Sequence, residues 1–436
     1  MSNHPRWLKI SLTGLLLFVV YLATAGLSAD HQNVDTQAAG IAAWRLATHG
    51  DANLEAFEDF AWIDPLADGR VVANRYAGVV LSTAPFYLVL GTDAGPTVFP
   101  GAVAAAFWTS LAMIVLFLVL DQLVPSRTAA LAVGLVAFGT ATWTASADQP
   151  WTHGPAQLGI AVGMLGLATR RWWISGLGFG FSIAHRAQLA VIPLIVGLTE
   201  GWRQRNFRIV LGVGVGSAVG LAVLLAYNRW VFGSWSPFGG YQAYATRITD
   251  PGESQVFTGF PEALLGTLVS PQRGVFVLMP FLLLLIPGVV AGWRVAPSWA
   301  QTCALAGIGA LVIQLWVNYF TGGFFFYGSR LTLETLTLCA PLLVLAWQQW
   351  TSQTRLRRVV FVVLAGYSVG SHALAAIGYW TPPGTGPWET FMLLDAWYAA
   401  SLWRGVLTVV LVSAGVVYAV RLAWREQPAS EVQQPV

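Results

Sequence analysis

The first apolar run of this chain is followed by the sequence Ser28-Ala29-Asp30-His31-Gln32-Asn33-Val34-Asp35-Thr36-Gln37. This sequence opens a segment, residues 28–97, in which ionisable side chains are denser than in the rest of the chain. Almost all of the sequence around this segment is apolar. We therefore interpret residues 28–97 as a long polar loop that holds the chemistry, and the remainder as a membrane scaffold that presents a substrate to it.

Composition indicates an integral membrane protein. Of the 436 residues, 56% are hydrophobic and 10% are charged, whereas soluble domains carry about 25% charged residues. So few charges cannot cover a globule in water, so the main solvent must be lipid. The arginines are spread over many loops, which does not indicate a nucleic-acid surface. Cys303 and Cys339 lie in apolar runs without metal-ligand spacing, which predicts buried structural thiols.

The apolar runs predict an all-α polytopic protein, because a spanning helix needs about 20 apolar residues. The candidate spans are residues 9–27, 99–120, 128–145, 155–169, 208–230, 274–293, 299–318, 331–347, 358–376 and 402–421. Residues 172–200 are too long for one helix and too short for two full spans. We interpret them as a pair of short helices that meet at a polar tip around Arg186, giving about 12 transmembrane or membrane-inserted helices.

Arginine and lysine residues predict the orientation of the chain, because cytoplasmic loops collect these residues. Their distribution places both termini in the cytoplasm and residues 28–97 outside, in a multi-pass protein of the inner (plasma) membrane. Residues 1–421 form one transmembrane domain in this interpretation. Residues 422–436 are polar and are expected to form a disordered cytoplasmic tail.

Two acids at the start of the loop, Asp30 and Asp35, are candidates for a general base. A carboxylate at a membrane boundary is partly desolvated, which raises its pKa toward that of an effective base. Asp35 is the first choice, because Asp30 directly follows the apolar run and can serve to end the first helix. The alternative is that both are solvated loop acids. A short amphipathic helix is predicted after Asp35 by the spacing of Ile41, Trp44, Arg45 and Thr48.

Two further sites combine polar and aromatic residues. The sequence Asp148-Gln149-Pro150-Trp151-Thr152-His153-Gly154 is predicted to form a tight outer turn that binds the substrate. The alternative is that Trp151 anchors the turn at the interface and His153 is an ordinary loop residue. Arg186 is costly at membrane depth and is a functional candidate by default. It is expected to face a polar cavity that opens to the outer side, and the alternative is a structural ion pair.

The sequence Tyr327-Gly328-Ser329-Arg330 leads into a helix that carries Glu334. Four residues separate Arg330 from Glu334, so the two can pair on one helix face. The functional alternative is that Arg330 binds a phosphate at the bilayer surface, because a guanidinium matches phosphate geometry well. We find no nucleotide-binding glycine loop, no HExxH and no serine-centred elbow. The many loop acids permit a divalent cation, but no ligand spacing requires a metal or cofactor.

With these motifs the chain resembles the polytopic GT-C glycosyltransferases, and among them the bacterial branch grouped with the protein and dolichyl-phosphate mannosyltransferases. The resemblance covers most of the chain. It rests on the acids after the first helix, the loop motif Asn74-Arg75-Tyr76 and buried Arg186. It rests also on the motifs Trp151-Thr152-His153-Gly154-Pro155, Tyr227-Asn228-Arg229, Ser270-Pro271-Gln272-Arg273-Gly274 and Tyr327-Gly328-Ser329-Arg330.

This resemblance implies that a sugar, a hexose such as mannose, moves with inversion from a polyprenyl phosphate to an extracytoplasmic acceptor of the cell envelope. A loop carboxylate, Asp35 or Asp30, would be the base. Arg186, Arg330 and Arg75 would bind the donor phosphate. The substrate-binding residues would be Asp148, Trp151, His153 and Tyr327.

Two other functions are compatible with the sequence, and the partners differ among the three. A transporter or flippase of a lipid-linked sugar would also bury charge at mid-membrane and break its helices. A non-catalytic membrane assembly subunit is the third interpretation. In the enzyme interpretation the acceptor is a glycan, a lipid or a protein, and the sequence alone does not distinguish among these.

Overall fold

A computed structural model describes residues 6–27, 32–239, 259–317, 327–378, 388, 391, 393, 397 and 402–425. This part of the chain is predominantly α-helical, as predicted. The helices are Arg6–Thr24 (α1), Val34–His49 (α2), Ala77–Leu90 (α3), Val98–Leu120 (α4), Ser126–Phe138 (α5), His153–Ala168 (α6), Trp172–His185 (α7), Val191–Arg203 (α8), Phe207–Phe232 (α9), Phe260–Val269 (α10), Val275–Leu278 (α11), Ile286–Val295 (α12), Ser298–Val317 (α13), Leu333–Gln349 (α14), Arg355–Gly378 (α15) and Leu402–Arg425 (α16).

Six helical segments in the described residues are long and apolar enough to cross a membrane. They are Val98–Leu120, Phe207–Phe232, Ser298–Trp316, Arg330–Gln353, Arg355–Ile377 and Trp403–Arg421. Shorter apolar helices accompany them, at Ile10–Thr24, Ala77–Leu90, Ser126–Phe138 and Phe260–Val269. The predicted polytopic helical membrane fold is therefore confirmed. Of the predicted disordered tail, residues 422–425 belong to α16, and residues 426–436 lie outside the described residues.

Close helix packing at glycines holds the centre of the bundle together. Helices α7 and α9 pack along each other, and α6 lies on the other side of α7. A Cβ atom on Gly176 would come within 2.5 Å of the Gly212 carbonyl oxygen, and a Cβ atom on Gly216 would come within 2.7 Å of the backbone nitrogen of Leu177 in α7. Small residues allow this approach, and van der Waals contact then replaces the hydrophobic force that lipid does not supply.

The first loop is more ordered and more apolar than its sequence suggests. Helix α2 begins at Val34, as the near-helical spacing predicts, and Ile41 and Trp44 of this helix are buried. A hairpin follows, in which Ile63–Pro65 (β1) pairs antiparallel with Val71–Ala73 (β2). Helix α3 then packs against α2 and α4. The sequence interpretation includes α3 in the polar loop, and its 14 residues are fewer than a full span requires.

Two predicted spans are broken, which corrects the sequence interpretation. In place of a helix over residues 128–145, α5 ends at Phe138 and a π-helical turn follows at Thr142–Ser146. In place of a helix over residues 274–293, α11 is one short turn, followed by a 3-10 segment, Pro280–Leu284, and then α12. Proline has no backbone N–H, and its ring clashes with the carbonyl of the residue four positions earlier. Pro280 therefore prevents a continuous helix there.

The predicted pair of short helices over residues 172–200 is present. Helix α7 ends at His185, and Arg186 is in an extended conformation, with φ −153° and ψ 101°. A 3-10 turn at Ala187–Ala190 leads into α8. The backbone stops being helical at Arg186, and its side chain contacts His153 of α6, Gln314 of α13 and Glu334 of α14. The break is therefore what positions Arg186 for the site described next.

Candidate active site

A cavity of about 140 Å³ lies where α2, α3, the turn before α6, the break after α7 and the start of α14 meet. Its charged lining residues in the described part of the chain are Asp35, Arg75, Arg186 and Arg330, with the His153 imidazole beside them. The other lining residues are Ala39, Trp62, Tyr76, Val79, Pro150, Trp151, Thr152, Gln188, Gln314 and Leu331. The cavity therefore joins residues from widely separated parts of the sequence.

Asp35 is the carboxylate of this cavity. It lies in the first turn of α2, where the side chain of Asn33 accepts a hydrogen bond from the Asp35 backbone N–H at 2.7 Å. One carboxylate oxygen of Asp35 lies 2.5 Å from Nη1 of Arg75. The other accepts hydrogen bonds from both terminal nitrogens of Arg330, at 3.4 Å each. The side chain of Asp35 is 23% exposed, so the ion-paired carboxylate remains accessible from the cavity.

Two tryptophans hold the arginines that flank Asp35. The guanidinium carbon of Arg330 lies 4.0 Å from the ring centre of Trp151, and that of Arg75 lies 5.2 Å from the ring centre of Trp62. An aromatic face attracts a guanidinium through the ring quadrupole, most strongly where water is excluded. Both arginine side chains are buried. The tryptophans thus help to keep two buried cations directed at one carboxylate.

Burial and ion pairing act on the pKa of Asp35 in opposite directions. Burial raises the pKa of the Asp35 carboxyl, because desolvation disfavours the charged form. The charges of Arg75 and Arg330, and the hydrogen bonds they donate, lower this pKa. Together they outweigh the effect of burial, so the pKa of Asp35 lies below its usual value. Paired with these two guanidinium groups, Asp35 is an ionised carboxylate of reduced basicity.

A second charge cluster surrounds Arg186. Nε of Arg186 lies 3.6 Å from Oε1 of Glu334, and the same carboxylate oxygen accepts a hydrogen bond from Nδ1 of His153 at 2.8 Å. Nη1 of Arg186 lies 3.2 Å from Nε2 of His153, and Nη2 donates to Oε1 of Gln314 at 3.2 Å. The same Nη1 lies 3.4 Å from Nδ1, so it contacts the imidazole ring and not the Nε2 lone pair alone. The hydrogen bond to Glu334 fits an imidazole that carries its proton on Nδ1. The Arg186 guanidinium is consequently held on three edges.

Of the two alternatives for Arg330, the ion pair with Glu334 is not formed. Arg330 contacts Asp35, and Glu334 contacts His153 and Arg186. The spacing rule for pairs four residues apart assumes a continuous α-helix. Residues Arg330–Thr332 form a 3-10 turn instead, and the α-helix begins only at Leu333. The two side chains therefore serve different clusters.

The structure brings together most of the predicted site residues, but Asp148 and Tyr327 do not line the cavity. Asp148 accepts a hydrogen bond from the Gly26 N–H at 2.5 Å, and burial raises the pKa of its carboxyl to about 7. It connects the end of α1 to the turn before α6. Tyr327 is buried, and its ring meets that of His372 edge to face at 5.1 Å. Asp30 lies outside the described residues.

The sequence interpretation missed two contributors. Gln314 is a glutamine within the apolar helix α13, and its carbonyl oxygen binds Arg186. An isolated amide in an apolar run is a signal that could have identified it, because polar groups inside membranes are costly. Trp62 lies in the loop before β1, and no feature of the sequence distinguishes it from the other aromatic residues. In the described residues, no group of three or more His, Cys, Asp or Glu side chains could hold a metal ion.

The fold and the cavity define a class: a polytopic helical membrane protein with a guanidinium-rich cavity around one carboxylate. No family model and no curated protein matches the sequence. Among solved structures, the chain is similar to the crystal structure of ArnT from Cupriavidus metallidurans in the apo state. The TM-score is 0.58 at 16% sequence identity, over 96% of this chain and 72% of that one. At this identity, the likeness is one of fold.

Proposed function

We propose that this protein is a membrane glycosyltransferase that moves a sugar from a polyprenyl-phosphate donor to an acceptor hydroxyl, with Asp35 as general base. The observation that carries the proposal is the contact of Asp35 with Arg75 and Arg330 in one cavity. A carboxylate can take the proton of a hydroxyl, and guanidinium groups bind a phosphate. The cavity thus places the two halves of such a reaction within one small volume.

In the proposed reaction, the oxygen of the acceptor hydroxyl attacks the anomeric carbon of the sugar, and its proton passes to Asp35. The bond between the anomeric carbon and the phosphate oxygen breaks, and its electron pair stays on the polyprenyl phosphate. Arg75, Arg186 and Arg330 stabilise the charge that grows on this leaving group, which is commonly the largest catalytic contribution. Attack opposite the leaving group inverts the anomeric configuration.

The phosphate would also change the partners of Asp35. Arg75 and Arg330 are ion-paired with the carboxylate. A bound donor phosphate would compete for the same guanidinium groups, because their N–H donors match phosphate oxygens. Partial release of the carboxylate would then raise its pKa and make it a better base at the moment when the donor is in place.

The fold likeness to ArnT, a GT-C family glycosyltransferase, supports the class of the proposal. We propose a hexose such as mannose as the sugar, on the resemblance of the motifs. Following the arginine distribution, the cavity would open toward the extracytoplasmic side. The donor would enter from the outer leaflet, where the polyprenyl tail stays in lipid and the phosphate reaches Arg330.

One observation favours a second candidate, a transporter or flippase of a lipid-linked sugar. The break between α7 and α8 at Arg186 is the kind of discontinuity that transporters use at their binding sites. In that case the protein would move the lipid-linked sugar across the membrane without cleaving the sugar–phosphate bond. A transporter can also use a carboxylate, as a proton site, but a carboxylate in contact with two phosphate-binding guanidinium groups meets both chemical needs of the transfer reaction, which is why we place the enzyme first.

The test is a release assay with the purified protein in lipid vesicles. The donor is polyprenyl phosphate carrying a labelled hexose, and the acceptor is supplied as an envelope extract of the host. The expected result is free polyprenyl phosphate together with labelled, anomerically inverted product. Movement of intact labelled donor between leaflets, without bond cleavage, would indicate the transporter. If neither sugar transfer nor donor movement is detected with any hexose donor, the glycosyltransferase is contradicted and the assembly subunit remains.

A further inference from the structure

Glu334 is a buried carboxylate that the reaction proposed above does not use. It lies in the first turn of α14 and is 3% exposed. Its carboxylate lies behind His153 and Arg186, which do line the cavity. Glu334 therefore cannot touch a substrate in this arrangement, and any influence on the reaction must pass through the side chains in front of it.

Two contacts carry that influence. The hydrogen bond from Nδ1 of His153 to Glu334 fixes the imidazole against Nη1 of Arg186. The ion pair with Nε of Arg186, at 3.6 Å, fixes a second edge of the guanidinium. Gln314 accepts from Nη2, so each of the three guanidinium nitrogens has a partner.

Charge gives Glu334 a second effect. Among the described residues of the two clusters, the guanidinium groups of Arg75, Arg186 and Arg330 face two carboxylates, Asp35 and Glu334. The charge of buried Arg273 also acts on Arg330, so positive charge exceeds negative charge here and Glu334 reduces the excess by one. After transfer Asp35 holds a proton, and the net positive charge of the site rises by one. The released phosphate monoester then carries about two negative charges.

We propose that Glu334 is a positioning residue of this site: it orients Arg186 directly and through His153, and it limits the positive charge that a bound phosphate meets. The inference rests on the proposed function. Without the charge of Glu334 the site would hold one more positive charge at every stage. The product, which is the more highly charged ligand, would gain most from this excess, and its release would slow.

The first variant, Glu334→Gln, removes the charge and keeps the shape, and glutamine can still accept the hydrogen bond from His153. Equilibrium binding of radiolabelled polyprenyl phosphate is measured in lipid nanodiscs, together with transient kinetics. We expect at least tenfold tighter binding of polyprenyl phosphate. Steady-state turnover should fall at least tenfold after an initial burst, because product release becomes limiting. If the folded variant binds polyprenyl phosphate as wild type does, or more weakly, the proposed effect of the Glu334 charge is overturned.

A second variant separates position from charge and remains informative if Glu334→Gln does not fold. Glu334→Asp keeps the carboxylate and withdraws it by one methylene group. Polyprenyl phosphate should bind within threefold of wild type, whereas the single-turnover rate should fall at least tenfold, because the contacts that orient Arg186 are lost. A single-turnover rate equal to wild type would overturn the positioning role.

The matched control is Glu200→Gln, at a second fully buried carboxylate, in α8. Glu200 accepts hydrogen bonds from Thr302 and Ser298, at 2.7 Å and 2.8 Å, and does not line the cavity. The Glu200→Gln variant should bind polyprenyl phosphate as wild type does. If the control tightens binding as much as Glu334→Gln, the specific role of Glu334 is contradicted. Wild-type protein that binds no polyprenyl phosphate would contradict the proposed donor class itself, and with it this inference.

Discussion

Asp35 has two competing requirements in the proposed reaction. The carboxylate must be ionised to accept a proton, and Arg75 and Arg330 ensure this by lowering its pKa. The same ion pairs make it a weaker base, since basicity falls as the pKa falls. Exchange of guanidinium partners with the donor phosphate resolves the conflict. This single residue therefore couples donor binding to readiness for proton transfer.

The substitution Asp35→Asn should abolish transfer, with a loss of about 10²–10⁴-fold, because the proton acceptor is removed while the shape is kept. Polyprenyl phosphate should bind more tightly than to wild type, because the carboxylate no longer competes for Arg75 and Arg330. Release assays and equilibrium binding measure the two effects. If Asp35→Asn stays active while Asp30→Asn is inactive, the roles of the two acids are reversed.

The control for this substitution is Asp51→Asn. Like Asp35, Asp51 pairs with an arginine, in this case Arg45 of α2 at 2.7 Å. This pair is partly exposed and does not line the cavity. Exposed ion pairs contribute roughly 0–1 kcal/mol, so both activity and phosphate affinity should remain close to wild type. Tighter phosphate binding by Asp51→Asn would mean that a general change in charge, and not local competition, explains the result for Asp35.

At this scale the sequence predicted the residue types of the site better than their partners. Asp35, Arg75, Arg186 and Arg330 could be found because charges are costly in an apolar chain. The partner of Glu334 could not, because it depends on where the α-helix begins. Asp148 was placed in the correct turn, but the direction of a side chain in a tight turn depends on tertiary contacts, here with Gly26.

Among the helices, the contact of α3 with α7 is the one that sets the width of the cavity. Arg75 and Tyr76 directly precede α3, and Arg186 directly follows α7, so any separation of these helices moves the two arginines apart. The contact is close at Gly78. A Cβ atom there would lie 2.6 Å from the backbone carbon of Ala184 and from the backbone nitrogen of His185.

The substitution Gly78→Ala should therefore push α3 away from α7. Overpacking of this kind costs about 1–3 kcal/mol, and the displacement of Arg75 from Arg186 should reduce transfer at least tenfold. Thermal unfolding in detergent and the release assay measure these effects. The control is Gly134→Ala in α5, where a Cβ atom would meet no heavy atom within 4 Å. It should be neutral or stabilising by about 0.5–1 kcal/mol, and equal behaviour of the two variants would refute the argument.

Helices were predictable where one apolar run is long enough to span the bilayer, as for α4 and α9. Helix α3 was not predictable in this way, because its 14 apolar residues are fewer than the roughly 20 that a spanning helix needs. The segment of residues 274–293 has sufficient length and hydropathy, but Pro280 breaks it. Apolar length is therefore a reliable guide to the scaffold and a poor one to the short, broken helices that form the site.

For the whole molecule, the arginine distribution predicts the side of the membrane on which the cavity opens. Reporter fusions at Ala52 and at Pro428 should give an extracytoplasmic and a cytoplasmic signal, respectively, because positively charged loops are retained inside. A fusion at Gln204, between α8 and α9, serves as an internal cytoplasmic reference. A cytoplasmic signal at Ala52 would contradict the proposed use of an outer-leaflet donor.

Composition was sufficient to predict a membrane protein, because so few charges leave no other solvent for the surface, and the long apolar runs predicted that it is helical. The assembly of one cavity from α2, α3, α13 and the segments before α6, after α7 and before α14 was not predictable from this sequence. Such an assembly depends on which helices pack together, and apolar patterning in lipid does not distinguish one neighbour from another. The charged residues of the loop and of the apolar runs indicated which side chains the cavity would contain, but not how they meet.

The pairing of Asp35 with Arg330 also has a consequence for how the protein is made. The two residues are separated by 295 positions, and a ribosome adds about 5–20 residues per second, so roughly 15–60 s pass between their syntheses. During this interval the nascent chain has inserted α4 and α9 while Arg186 still lacks Glu334. A message truncated before Arg330 would leave Arg186 without Glu334, whereas Asp35 would keep its ion pair with Arg75. Because an unpaired guanidinium at membrane depth is costly, such a truncated chain should be held in the bilayer less stably than the full-length protein.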